Sequence, residues 1–286
     1  PKGSPWAGLR EERSFPEFYA AAAAGGGCGH GRGIQMLSTG PITYKGHEPL
    51  RRDLDNFAAA LTGANVLEAF VPAISPGNIE HWQRNAYSES DEAFLYAIVD
   101  AGLILQIDDP RLATYYAMSE VTVEQCRCWA AIRVEALNHA LRGIPEDRVR
   151  FHTCYSINMG PRVHDMELRD LVDIVLRIRA GAYSFEAANP RHEHEWQVWE
   201  QVTLPAGKLV VPGVISHTTV LVEHPELVAQ RLEHFARVVG RENVIAGADC
   251  GFATFATSHE IHPSVVWAKL QSVVDGAAIA GRRLFG

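Results

Sequence analysis

The chain has 286 residues, 47% of them hydrophobic, and a formal net charge of −8. That acidic balance, with a pI near 5.9, argues against nucleic acid and an anionic membrane surface as partners, since both call for a basic face. The five cysteines, an odd number scattered over a long chain, do not read as a disulfide framework, and with neither a leader nor a membrane-length apolar run the expectation is a soluble, cytoplasmic protein acting on small molecules.

Residues 1–33 hold the low-complexity run Ala20 to Gly27 and read as an irregular N-terminal segment without a convincing strand. From there β-like runs alternate with segments of helical period. In chain order the sequence predicts a strand over Ile34 to Leu37, a helix over Pro49 to Leu61, and strands over Val66 to Val71 and Leu103 to Ile107. A helix over Val121 to Leu141, a strand over Val149 to Cys154 and a helix over Leu168 to Arg179 follow. Strands over Ala182 to Glu186, Leu209 to Ile215 and Val244 to Asp249 then frame a helix over Pro225 to Val239. The closing helix, Pro263 to Arg283, has proline in its first turn and Gly276 as a weak point.

Repeated strand-then-helix units with polar groups at the strand C-termini predict an α/β fold of the TIM-type (βα)8 barrel kind, as one domain over 1–286. A doubly wound sheet is the competitor, but no GxGxxG follows a first strand. The barrel is short of one or two strands by this reading. Either the N-terminal strands are irregular or the chain is incomplete at its start.

His152 and Cys154 stand two apart at the end of a predicted strand, so their side chains project from one face. Glu186 and Cys250 close two further strand-like runs. Thiolate, imidazole and carboxylate are zinc donors, and two cysteines and a histidine with an exchangeable fourth position form a catalytic rather than a structural pattern. A free thiol with pKa about 8.5 is only a few per cent ionised at pH 7, a deficit of about 2 kcal/mol that zinc removes. Two cysteine ligands already neutralise the dication, so an added thiolate stays nucleophilic and alkylation fits better than hydrolysis. Cys126 and Cys128 lie two apart on a predicted helix, face different directions and read as structural. His192-Glu193-His194-Glu195 reads as a solvated loop or helix start, with a supporting or substrate role left open by its closeness to Glu186. Asp108 and Asp109 precede Pro110 and are equally placed to cap the next helix.

His152-Thr153-Cys154, Ser184-Phe185-Glu186, Pro212 to His217 and Asp249-Cys250-Gly251-Phe252 follow one another in an order that resembles the catalytic barrel of cobalamin-independent methionine synthase. That barrel is of the methionine-synthase and uroporphyrinogen-decarboxylase kind and is similar to epoxyalkane:coenzyme M transferase. Gln106 to Pro110 and Gly40 to Thr43 extend the resemblance over most of the chain from Gly33 onward. It implies zinc on His152, Cys154, Glu186 and Cys250, with Glu186 the ligand that an incoming thiol displaces. It also implies that Asp108 binds a polar or cationic group on the thiol, and that His217 assists proton transfer. The family's opening strand has no counterpart before Gly33, and Glu68 to Gly77 departs from methionine synthase. The expected function is transfer of a methyl or other alkyl group to a thiol bound as zinc thiolate, from a small-molecule donor. Epoxide opening by a thiol, a zinc hydrolase and a non-catalytic zinc-binding paralogue are the alternatives, and a homo-oligomer is left open.

Overall fold

The computed structural model describes residues 9–25, 36–43, 45–65, 69, 72–76, 83–90, 106–155, 160–253 and 261–286. Six strands form one all-parallel sheet in the order β2 (Pro72–Ile74), β4 (Gln106–Asp108), β5 (Arg150–Thr153), β6 (Ala182–Phe185), β7 (Leu209–Ile215) and β8 (Gly247–Ala248). β1 (Met36–Ser38) pairs in parallel with β3 (Gln83–Asn85) as a separate two-stranded sheet. Within the larger sheet the spatial order follows the chain without reversal. A doubly wound sheet reverses at a switch point, so that competitor is excluded for these strands.

Strands β5, β6 and β7 lie where the apolar runs predict them, and β6 is buried along its whole length. At the flanks the strands are shorter or shifted. β2 begins at Pro72, just beyond the predicted run 66–71, most of which lies outside the described residues. Proline donates no hydrogen bond, and it stands here at the first residue of the strand that ends the sheet among the described residues. Residues 34–35 and 103–105 also lie outside the described residues, so β1 and β4 are described only from Met36 and Gln106. The run predicted over Val244 to Asp249 pairs only at Gly247–Ala248 and through an isolated bridge from Val244 to Val210.

The helices Pro225–Val239 and Pro263–Phe285 match their predicted spans, each with proline in its first turn and a histidine cap before it. The helix Val123–Ala140 begins in a capping box between Thr122 and Gln125. It buries Cys126, Ala130, Val134 and Leu137 against Ile107, Phe151 and Tyr183 of the sheet. Cys128, two residues on, is exposed.

Two expectations are corrected. Residues 168–179 form not one helix but a 3-10 turn, Leu168–Asp170, and a single α-turn, Val172–Val175. Leu168, Leu171, Val172, Ile174, Val175 and Ile178 are all buried, and β-branched residues pinned on several sides gain little from a regular helix. The N-terminal segment is not wholly irregular, because helices span Leu9–Ser14 and Pro16–Gly25. The alanine run has the highest helix propensity of any composition, and glycine ends it.

Gly276 is a packing position rather than a weak point. A Cβ built there meets Val228 Cβ at 2.5 Å and the Pro225 carbonyl oxygen at 2.7 Å. Glycine therefore lets the last two helices cross in close contact. Among the described residues no helix is long and apolar enough to cross a membrane.

Candidate metal centre

The parallel register sets Asp108 beside His152 and His152 beside Ser184, one row across β4, β5 and β6 at their C-terminal ends. His152 Nδ1 and Ser184 Oγ are 3.0 Å apart, so the neighbouring strand orients the ring and leaves Nε2 for another partner. Thr153, pointing the other way, donates to the Asp109 carbonyl at 2.9 Å and ties β5 to β4. Cys154 follows on the His152 face, buried.

Cys250, just past β8, brings its sulfur to 3.3 Å from Cys154 Sγ, and both cysteines are free. A ring nitrogen of His152 completes a group whose ligand atoms all lie within 4.8 Å of one another. Sulfurs on a tetrahedral zinc, with Zn–S about 2.3 Å, stand roughly 3.8 Å apart, so the pair is near that spacing without being bonded. Two soft sulfur donors and one imidazole fit zinc in donor chemistry and in spacing. The contact with Cys250, then burial, raises the Cys154 pKa well above its ordinary value. Burial disfavours the charged form of His152, but Cys154, Asp108 and Glu186 outweigh it and raise its pKa.

Glu186, the fourth expected ligand, is turned elsewhere. Its Oε1 accepts from the Tyr155 amide at 2.7 Å, and its Oε2 takes Asn189 Nδ2 and, at 3.4 Å, Arg162 Nη2. It forms a second buried group with His217 and Asp249, whose potential ligand atoms also lie within 4.8 Å of one another. Asp249 Oδ1 accepts from the amides of Ala187 and Ala188, both at 2.8 Å, while Oδ2 is buried without a hydrogen-bond partner. Burial and the Glu186 charge push the Asp249 pKa up to about 7.

His217 is held at the β7 end by its neighbours. Glu223 accepts from the Ser216 amide at 2.8 Å, and Lys269, fully buried, donates to Glu223 at 2.7 Å. Arg231 donates to the carbonyls of Val214 in β7 and Ala188 in the loop after β6, which ties that loop to the strand. Of the two aspartates, Asp109 is the buried one and takes hydrogen bonds from Ser75 and the amides of Leu112 and Arg111. It stands one residue before Pro110, the N-cap of the short helix Arg111–Thr114, and burial raises its pKa to about 6. Asp108 stays half-buried in the row with His152.

The run His192 to Glu195 is a helix start, opening the 3-10 helix Glu193–Glu200, and only part of it is solvated: His194 is exposed. His192 and Glu195 are buried, with 2% and 4% exposure. His192 Nδ1 meets Glu195 Oε2 at 2.8 Å, Nε2 meets Asp165 Oδ2 at 3.1 Å, and the ring stacks on Tyr155 at 3.6 Å. Burial opposes its charge, but these two carboxylates outweigh it and raise the His192 pKa. Arg162, Asp165 and Asp249 have no place in the sequence-derived site. Only Asp249 left a signal, as the residue before Cys250.

Among known proteins, the family described as cobalamin-independent synthase, catalytic domain, matches residues 90–278. No curated protein matches the chain. A B12-independent methionine synthase from Shewanella sp. W3-18-1, solved with selenomethionine, has a similar fold: TM-score 0.55 and 19% identity, over 75% of this chain and 62% of that one. A protein from Listeria monocytogenes described as a vitamin-B12-independent methionine synthase gives TM-score 0.50 and 17% identity, over 84% of this chain and 72% of that one. The chain thus spans less than two thirds of the first of these proteins. The match over 90–278 covers the strand ends that carry His152, Cys154, Glu186, His217 and Cys250, and the chain belongs to the cobalamin-independent synthase catalytic-domain family.

Proposed function

We propose that this protein is a zinc-dependent alkyltransferase that moves a methyl or other alkyl group onto a small-molecule thiol, in the manner of methionine synthase. The observation that carries the reading is the meeting of Cys154, Cys250 and His152 at the ends of two strands, β5 and β8. We also propose that residues 1–286 form one barrel-type domain, which the unreversed strand order supports.

His152, Cys154 and Cys250 would hold the metal, with Glu186 as the exchangeable fourth ligand. Zinc, when bound, supplies the positive charge that lets a thiol ionise at neutral pH. Asp108, in the row beside His152, faces the thiol's polar or cationic end. In the transfer the sulfur forms a bond to the alkyl carbon while the bond from that carbon to its leaving group breaks. The thiol proton is given up on binding, and His217 returns a proton to the leaving group. On this reading His217→Asn lowers turnover by roughly 10²-fold with zinc content unchanged. Loss of zinc instead moves His217 into the ligand set.

The decisive experiment is X-ray absorption at the zinc edge with a panel of thiols. The acceptor thiol should add a third sulfur to the shell in place of an oxygen and release about one proton near pH 7. The oxygen-rich group of Glu186, His217 and Asp249 favours a second reading, a hydrolase. Zinc-dependent cleavage of a test ester or amide with no thiol ever entering the shell replaces the first reading by the second. Epoxide opening remains the variant in which the alkyl donor is an epoxyalkane, and turnover with that donor distinguishes it.

A further inference from the structure

We infer that Arg162 is a positioning residue that receives the Glu186 carboxylate when it is off the metal, held in place by the buried series Asp165, His192 and Glu195. The inference rests on the reading of Glu186 as an exchangeable ligand.

The geometry is continuous. Arg162 reaches Glu186 Oε2 at 3.4 Å and the Tyr155 carbonyl at 2.8 Å, with its Nε 3.9 Å from Asp165 Oδ2. Asp165 continues to His192 at 3.1 Å, and His192 to Glu195 at 2.8 Å. Glu195 is anchored in turn by the Leu168 amide at 2.7 Å. Both ring nitrogens of His192 face carboxylates, the arrangement in which both act as donors. The signs therefore alternate from Glu195 to Glu186. All four acidic and imidazole members are buried, and the Arg162 side chain is 14% exposed.

A buried carboxylate needs a partner. Glu186 has Asp249 as a close neighbour of like charge and Arg162 as its cation. Its oxygens already sit on Tyr155, Asn189 and Arg162 rather than on the thiol group. That set is a ready place for a displaced carboxylate. Arg162 thus competes for Glu186 and lowers the barrier to an incoming thiol. Removing Arg162 biases Glu186 toward the metal, so zinc affinity should rise and thiol affinity fall. Plain structural damage lowers both.

The test uses the full zinc-loaded protein, with zinc affinity read by chelator competition and thiol entry by X-ray absorption. Arg162→Gln should bind zinc about tenfold tighter and the acceptor thiol about tenfold more weakly, the scale of one charge-assisted hydrogen bond. Arg162→Lys, which keeps the charge but not the fork, should fall between it and wild type. In a Glu186→Gln background the Arg162 substitution should change neither quantity. If Arg162→Gln shows no cooperative thermal transition, Arg162→Lys is read in its place for the same signs. Weaker zinc binding by a folded Arg162 variant, or an undiminished effect without Glu186, overturns the inference. A wild type that holds no zinc overturns it together with the proposed function. If zinc binds but no thiol enters, the proposed function fails and the zinc affinities still decide this inference.

Discussion

Cys250→Ala or Cys154→Ser should reduce bound zinc from about one per chain to a trace after dialysis, and this is the largest effect expected of any substitution. The two sulfurs are 3.3 Å apart in a common group with His152, so either change leaves a single thiolate and an imidazole. Structural zinc sites are worth about 10–16 kcal/mol over four ligands, so one soft ligand carries a few kcal/mol and its loss weakens binding roughly 10²-fold or more. Affinity should also fall as pH drops, because the thiols must lose protons to bind and the Cys154 pKa is raised in the absence of metal. Cys128→Ser, at an exposed helix position, should retain full metal content. Elemental analysis of the three variants checks this, and unchanged zinc in both Cys154 and Cys250 variants removes the site.

The central strands and the last two helices were legible because each carries a local signal. β5 to β7 are short apolar runs with turn residues around them, and the helices Pro225–Val239 and Pro263–Phe285 pair amphipathic period with N-terminal proline. That His152, Cys154 and Cys250 come together was legible because position at a strand end, not distance along the chain, decides what meets in a parallel sheet. The orientation of Glu186 was not legible, because it depends on Arg162, 24 residues away in a loop with no motif. The helix start at His192 was legible, but the burial of His192 and Glu195 was not, for a related reason. Charged runs usually face water, and here the partner that allows burial, Asp165, comes from 27 residues upstream. The segment 168–179 looked helical by spacing, yet contacts on several sides divided it.

Gly213→Ala should both destabilise the protein and empty the metal centre, although Gly213 is neither a ligand nor in a turn. A Cβ built there falls 2.0 Å from Asp249 Oδ1, 2.6 Å from Asp249 Cα and 2.7 Å from its backbone nitrogen. Rotating the Asp249 side chain relieves only the first clash. The other two involve backbone, so β7 and β8 must move apart where Gly213 pairs with Gly247 and the Asp249 amide donates to Ile215 at 3.0 Å. Forcing Asp249 aside also breaks its bonds to the amides of Ala187 and Ala188, which place the loop after Glu186. Overpacking costs about 1–3 kcal/mol where side chains yield, and more where backbone must. A loss of about 3 kcal/mol corresponds to a drop in Tm on the order of 6–12 °C for a chain of this size. Cys250, the next residue, shifts with Asp249, so zinc affinity should fall along with stability. Thermal unfolding with and without added zinc reads both: wild type should gain stability from zinc and Gly213→Ala little or none. An alanine variant that unfolds within a degree or two of wild type, with full metal content, would show that β7 and β8 do not approach this closely, and that Asp249 is not what seats Cys250.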